Sequence, residues 1–176
     1  MGVSYREFAV AIPYVTRRGG RHLHTYVPRM YSSLYPPVRD GNLHYGFNKA
    51  LADLERHGPI VSLIAADGPL LWHATIEPIE EWYRAGETTR SSPALAALQA
   101  AFDLPIVGRK ANGRYVRSYF GFDWEGAQAR PVQSAISIDV PLVDGLGPGH
   151  CHSVPGGALE VRGLLWRLSW PVPCAW

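Results

Sequence analysis

Apolar and β-branched residues recur along the chain in short runs that end at glycine, proline or paired polar residues, the pattern of many strands joined by turns. Glu7 to Val15 (EFAVAIPYV) predicts a strand stopped by Arg17-Arg18-Gly19-Gly20, after which His22 to Val27 resumes an extended pattern, so the two form a hairpin. Ile60 to Ala66 and Leu70 to Ile76 flank Asp67-Gly68, a pair that favours a tight hairpin. Tyr115 to Phe122, Val132 to Val140 and Ala158 to Ser169 predict three more strands, the last changing parity at Gly163, where a bulge or bend would restore the register. One helix is predicted over Ser92 to Leu104, with Ser92 as cap, Pro93 at the first helical position and ALAALQAAF following. Lys49 to His57 (KALADLERH) fits a short helix or a strand equally well. The Pro/Gly-rich segments Leu142 to Gly157 and Pro171 to Trp176 predict a loop and a tail. No repeat or boundary divides residues 1–176, which predicts a single, mainly β domain.

Composition narrows the partners. Seventeen Lys plus Arg against fifteen Asp plus Glu leave a net charge of +2 without basic blocks, so nucleic acid is not an expected partner. No apolar run approaches the roughly 20 residues that cross a bilayer, and no basic segment followed by a hydrophobic one opens the chain. The expectation is a soluble, cytoplasmic protein without a membrane partner. Cys151 and Cys174 are read as free thiols. Only Lys49 and Lys110 are lysines, so lysine chemistry has two candidates.

Three constellations could carry chemistry. His150-Cys151-His152, with Cys174, His22 and His24 elsewhere, supplies zinc-type ligands, but adjacent ligands are poorly spaced for one tetrahedral ion, and no metal or other cofactor is expected. Ser, His and Asp are all present without a Gly-x-Ser-x-Gly elbow, so a triad hydrolase is not indicated. The third candidate is Lys49, set between the aromatic and aliphatic residues of Gly41 to Ala52 (GNLHYGFNKALA). An amine enclosed by apolar neighbours is desolvated, which disfavours its ammonium form and leaves a nucleophile; the alternative is a surface lysine whose stem packs over apolar neighbours.

Ser4 to Pro13 (SYREFAVAIP), Tyr26 to Tyr31 (YVPRMY) and Gly41 to Ala52 together resemble the acetoacetate decarboxylase superfamily, in which a Y-x-E-x-x-x-x-I-P strand precedes a G-R-E-x-W-G-F/Y-P-K-K segment. Gly157 to Leu168 (GALEVRGLLWRL) resembles the closing strand of that family. The resemblance implies an antiparallel, cone-like β-barrel with few helices, a strand after Lys49, and a homo-oligomer. It places the Schiff-base lysine on Lys49 and the pocket glutamate on Glu7, with Phe47, Gly46 and Arg6 as substrate-binding neighbours. This chain departs from the motif at Asn42 (usually Arg), Asn48 (usually Pro) and Ala50 (usually the second Lys), and the segment that supplies a pocket arginine in the family has no counterpart ahead of Glu7.

The function this implies is decarboxylation of a small keto acid through a lysine iminium. Aldol condensation and dehydration of a pyruvate-type substrate by the same lysine is the nearest alternative. A barrel that binds a small molecule without turnover is the alternative of a different class, and a Lys49 pointing outward would favour it.

Overall fold

The structure is a computed structural model that describes residues 5–86, 93–143 and 145–175. Its strands are β1 (Glu7–Val15), β2 (His24–Ser32), β3 (Lys49–His57), β4 (Ile60–Ala65), β5 (Leu70–Pro78), β6 (Tyr83–Arg84) and β7 (Ile106–Arg109) in the first part. They continue with β8 (Tyr115–Ser118), β9 (Phe120–Asp123), β10 (Gln128–Ile138), β11 (Gly149–His152), β12 (Leu159–Arg162), β13 (Leu165–Leu168) and β14 (Val172–Cys174). Two helices, α1 (Tyr35–Asp40) and α2 (Pro93–Asp103), and a π-helical turn over Gly41–Tyr45 complete the set among the described residues. The predicted helix is α2; its expected cap, Ser92, lies outside the described residues. Segment 49–57, open to two readings by pattern, is a strand.

Strand β2 organises the half of the molecule that holds Glu7 and Lys49. One edge carries β1 in antiparallel register, Glu7 opposite Ser32 and Ala9 opposite Met30. The other edge is shared: β3 pairs in parallel with its end (Met30 opposite Lys49) and β7 in parallel with its start (Thr25 opposite Ile106). Parallel neighbours need a crossover of a dozen or more residues, and α1 with the π-turn supplies it between β2 and β3. From β3 the path continues through the β4–β5 hairpin, turning at Asp67-Gly68, to β10 and β11; from β7 it runs through β8 to β14. The sheet is therefore mixed, and its path ends at β11 and β14 instead of closing. The closed antiparallel barrel implied by the resemblance is not found among the described residues.

Two predicted strands break in the middle, and both breaks serve one purpose. The segment 115–122 splits at Tyr119 into β8, in the main sheet, and β9; the segment 158–169 splits at Gly163 into β12, on β10, and β13. Gly163 takes φ +69°, a conformation without penalty only for glycine. Both halves that leave the main sheet then pair with each other, Phe120 opposite Leu168 and Phe122 opposite Trp166. The predicted loop and tail also contain ladder: β11 joins β10 and β14 joins β8. These are short edge strands with no buried face, so they carry no hydrophobic alternation to read.

Burial falls into three clusters. Leu63, Trp72, Ala74 and Ile138 centre the first, between β4, β5 and β10. Leu95 of α2 with Ala127, Ala129 and Tyr83 forms the second, and Val27, Met30, Phe47 and Ile106 form the third, around β2. No helix among the described residues is long and apolar enough to cross a membrane. Cys151 and Cys174 are unbonded. No group of three or more His, Cys, Asp or Glu side chains converges among the described residues, and His150, Cys151 and His152 are all exposed on β11.

Glu160 on β12 ties three strands together, accepting from Arg56 of β3 at 2.6 Å and from Arg130 of β10 at 2.6 and 2.9 Å. Burial alone would push its carboxyl up, but the hydrogen bonds and charges of the two guanidinium groups together bring it below the usual value. A depressed carboxyl stabilises fully above its unfolded pKa and loses that contribution as pH falls through the folded one. Glu160→Gln should lower Tm most at neutral pH, and thermal melts taken down to about pH 3 should show the gap to wild type closing below about pH 4.

Candidate active site

The sheet register brings together residues far apart in sequence. Lys49 on β3 lies opposite Met30, and Met30 lies opposite Ala9 on β1. Side chains alternate along a strand, so Glu7 shares the face of Ala9. Glu7 and Lys49, 42 positions apart, thus meet across β2, with Lys49 Nζ directly on Glu7 Oε1. The Lys49 side chain is 6% exposed and that of Glu7 18%. Lys49 points inward, the arrangement a catalytic reading requires.

The segment before Lys49 is shaped to hold it. The π-turn begins at Gly41, which lies against the lysine stem: a Cβ there would fall 2.6 Å from Lys49 Cδ. The turn ends at Gly46 with φ +66°, where a Cβ would fall 2.7 Å from the Arg109 backbone. Only glycine satisfies both demands at Gly46. Asn42 clamps the lysine backbone twice, accepting from Lys49 N at 2.7 Å and donating Nδ2 to Lys49 O at 3.0 Å. Asn48 accepts from Arg29 at 2.9 Å. Two of the three departures from the motif, Asn42 and Asn48, therefore have structural work here.

Two adjoining cavities open from the pair, sharing Tyr5, Glu7, Met30, Phe47, Phe120 and Trp166 as walls. The one beside Lys49, about 490 Å³, is bounded by α1 and the π-turn through Pro36, Pro37, Asp40 and Gly41. The other, about 680 Å³, extends over Ala9 and Ala11 toward α2 and the β9–β13 ribbon. Burial, and secondly the Glu7 carboxylate, push the Tyr5 phenol up, so it stays an O–H donor next to the pair. Lys49 is the only Lys or Arg among the described lining residues of the two cavities.

Of the residues expected to bind substrate, Phe47 is in place: it is buried and lines both cavities. Gly46 does not line them; it lies behind Phe47, against Arg109 and Lys110. Arg6 also lies elsewhere, because the residue next to Glu7 on an extended chain points to the opposite face. Its guanidinium donates to the Leu54 carbonyl at 2.6 Å. Tyr5 was legible in principle, since the Tyr-x-Glu spacing of the motif puts both residues on one face. Phe120, Phe122 and Trp166 were not, because their place depends on two strand breaks.

No family model and no curated protein matches the chain. Solved structures do. The crystal structure of acetoacetate decarboxylase from Legionella pneumophila superposes with TM-score 0.62 at 16% identity, over 97% of this chain and 67% of that one. The enduracididine biosynthesis enzyme MppR, with HEPES buffer bound, superposes with TM-score 0.58 at 14% identity, over 96% of this chain and 64% of that one. The chain thus spans about two thirds of the length of each. Its fold is that of the acetoacetate decarboxylase-like proteins.

Gly41→Ala tests the packing that aims the lysine. The added methyl has no room beside Lys49 Cδ, so overpacking should cost about 1–3 kcal/mol in denaturant unfolding. A crystal structure of the variant should show Lys49 Nζ displaced from Glu7.

Proposed function

We propose that this protein is a Schiff-base-forming carbon–carbon lyase that decarboxylates a β-keto acid at Lys49. The observation that carries this reading is the partly buried contact between Lys49 and Glu7 at the junction of two largely apolar cavities. Glu7 is positioned to take the proton of the lysine ammonium, leaving the amine lone pair free to attack the substrate ketone. Glu7, now protonated, returns that proton to the carbinolamine oxygen, which leaves as water and gives an iminium. The bond to the carboxylate then breaks, carbon dioxide departs, and its electron pair moves into the iminium to form an enamine. A proton delivered to the enamine carbon and hydrolysis of the resulting iminium release the ketone and restore the amine. Tyr5, held protonated, can donate a hydrogen bond to oxygen during these steps.

The charge pattern supports decarboxylation over aldol chemistry. A carboxylate held by cations resists loss, whereas one facing apolar walls and acids is relieved by leaving. Here the lining contributes Glu7 and Asp40 and no guanidinium among the described residues. The inward-facing, nearly buried amine supports catalysis over passive binding.

The direct test is incubation with acetoacetate followed by borohydride and mass spectrometry, with evolved carbon dioxide measured in parallel. One reduced adduct on Lys49 is expected. Lys49→Arg keeps a cation for Glu7 but supplies no neutral amine, so it should fold and form no adduct. Glu7→Gln should slow turnover by about 10²–10⁴-fold, the usual worth of a positioned acid–base group. Labelling on Lys110 instead of Lys49 overturns the reading; an adduct without carbon dioxide favours the aldol alternative.

A further inference from the structure

The larger cavity is poorly matched to a small keto acid. Pockets of about 300–1,000 Å³ enclose drug-sized ligands, and this one, at about 680 Å³, is lined by neither Lys49 nor Asp40. Its far wall is aromatic. Phe102 of α2 meets Phe122 at 4.8 Å and Phe120 at 5.6 Å, and Trp166 stands edge-on to Phe120 at 5.3 Å. Phe120 and Phe122 share one face of β9, so the cluster is fixed by the strand pleat and by packing from three elements. The remaining walls include Ala9, Ala11, Val27 and Ile106.

Few polar groups line this cavity away from the Lys49 compartment among the described residues. Thr25 is buried and its hydroxyl already donates to the Ala101 carbonyl at 2.7 Å. Tyr5 and Glu7 sit at the junction shared with the Lys49 compartment. No Lys or Arg lines this cavity among the described residues, so a second carboxylate or a phosphate would be desolvated without a counter-charge.

From this we infer that the larger cavity is a subsite for an uncharged, apolar arm on the ketone carbon, and that the substrate class is a medium-chain 3-oxo acid, not acetoacetate itself. The inference rests on the Schiff-base reading of Lys49 and adds the substrate's other half. The arm lies over Ala9 and Ala11 against the aromatic wall, while the ketone carbon reaches Lys49 and the carboxylate faces the Asp40 side. The chemistry is unchanged: the 3-oxo acid and one proton give carbon dioxide and a methyl ketone bearing the arm.

The test compares 3-oxooctanoate with acetoacetate, whose ketones have similar intrinsic reactivity, by kcat/KM and by borohydride trapping on Lys49. Each buried methylene contributes roughly fourfold, about 0.8 kcal/mol, so the longer acid should be favoured at least tenfold. Ala11→Phe, which fills the cavity away from Lys49, should lower that ratio at least tenfold, and Phe122→Ala, which removes its opposite wall, should lower it as well. Equal or lower kcat/KM for 3-oxooctanoate, or a ratio untouched by both variants, overturns the subsite while leaving the Schiff base standing. If neither acid labels Lys49, the Schiff-base reading fails. The subsite is then decided by calorimetry with 2-heptanone, where binding weakened by Ala11→Phe supports it and no binding overturns it.

Discussion

An ammonium and a carboxylate withdrawn from water can be tolerated only in contact, because removing one partner of a buried pair costs about 3–5 kcal/mol. The Lys49–Glu7 pair imposes that condition on this fold, and the surrounding elements can be understood as meeting it. The two charges come from different strands that never pair with one another. Their distance is set by β2, which pairs with β1 on one edge and β3 on the other. Any slip in either register by one residue would turn a charge to the opposite face.

The parallel pairing of β2 with β3 follows from the same demand. An antiparallel hairpin could bring β3 alongside β2 with a short turn, but the chain instead spends residues 33–48 on α1 and the π-turn before Lys49. That crossover forms one wall of the site, gives the lysine stem a groove at Gly41, and holds the lysine backbone through Asn42. The cavity beside the lysine and the element that positions the lysine are thus one structure. Where the family motif has Arg and Pro, this chain has two asparagines that hydrogen-bond its own backbone and Arg29.

The second cavity owes its existence to an interruption. Had 115–122 and 158–169 continued straight, their aromatic residues would have been carried along the main sheet. The breaks at Tyr119 and Gly163 lift β9 and β13 away as a separate ribbon, and Ser169 secures the Tyr119 break by accepting the Tyr119 N–H on its Oγ at 2.9 Å and by donating its own N–H to the Tyr119 carbonyl at 2.9 Å. Phe120, Phe122 and Trp166 then face α2 and β1 across an open apolar space. A ribbon used to complete a central core would have closed that space.

Sequence by itself determined the local elements with strong internal signals: the alternating strand from Glu7, the Asp67-Gly68 hairpin, the alanine- and leucine-rich run that becomes α2, and the bend at Gly163. It also supplied Glu7, Lys49 and Phe47 as candidates, since an acid, a scarce lysine and an aromatic neighbour stand in a spacing that resembles a known family. Sheet closure, the edge strands β11 and β14, and the small crossover elements were decided by tertiary structure. These segments are too short or too exposed to carry a period, and their conformation depends on backbone partners elsewhere in the chain. The same holds for Arg6 and Gly46, neighbours in sequence of Glu7 and Phe47 that end up facing away from the cavities. Adjacent residues on an extended strand point to opposite sides, and the far side of a turn is fixed by what packs behind it, here the start of the Arg109–Lys110 loop.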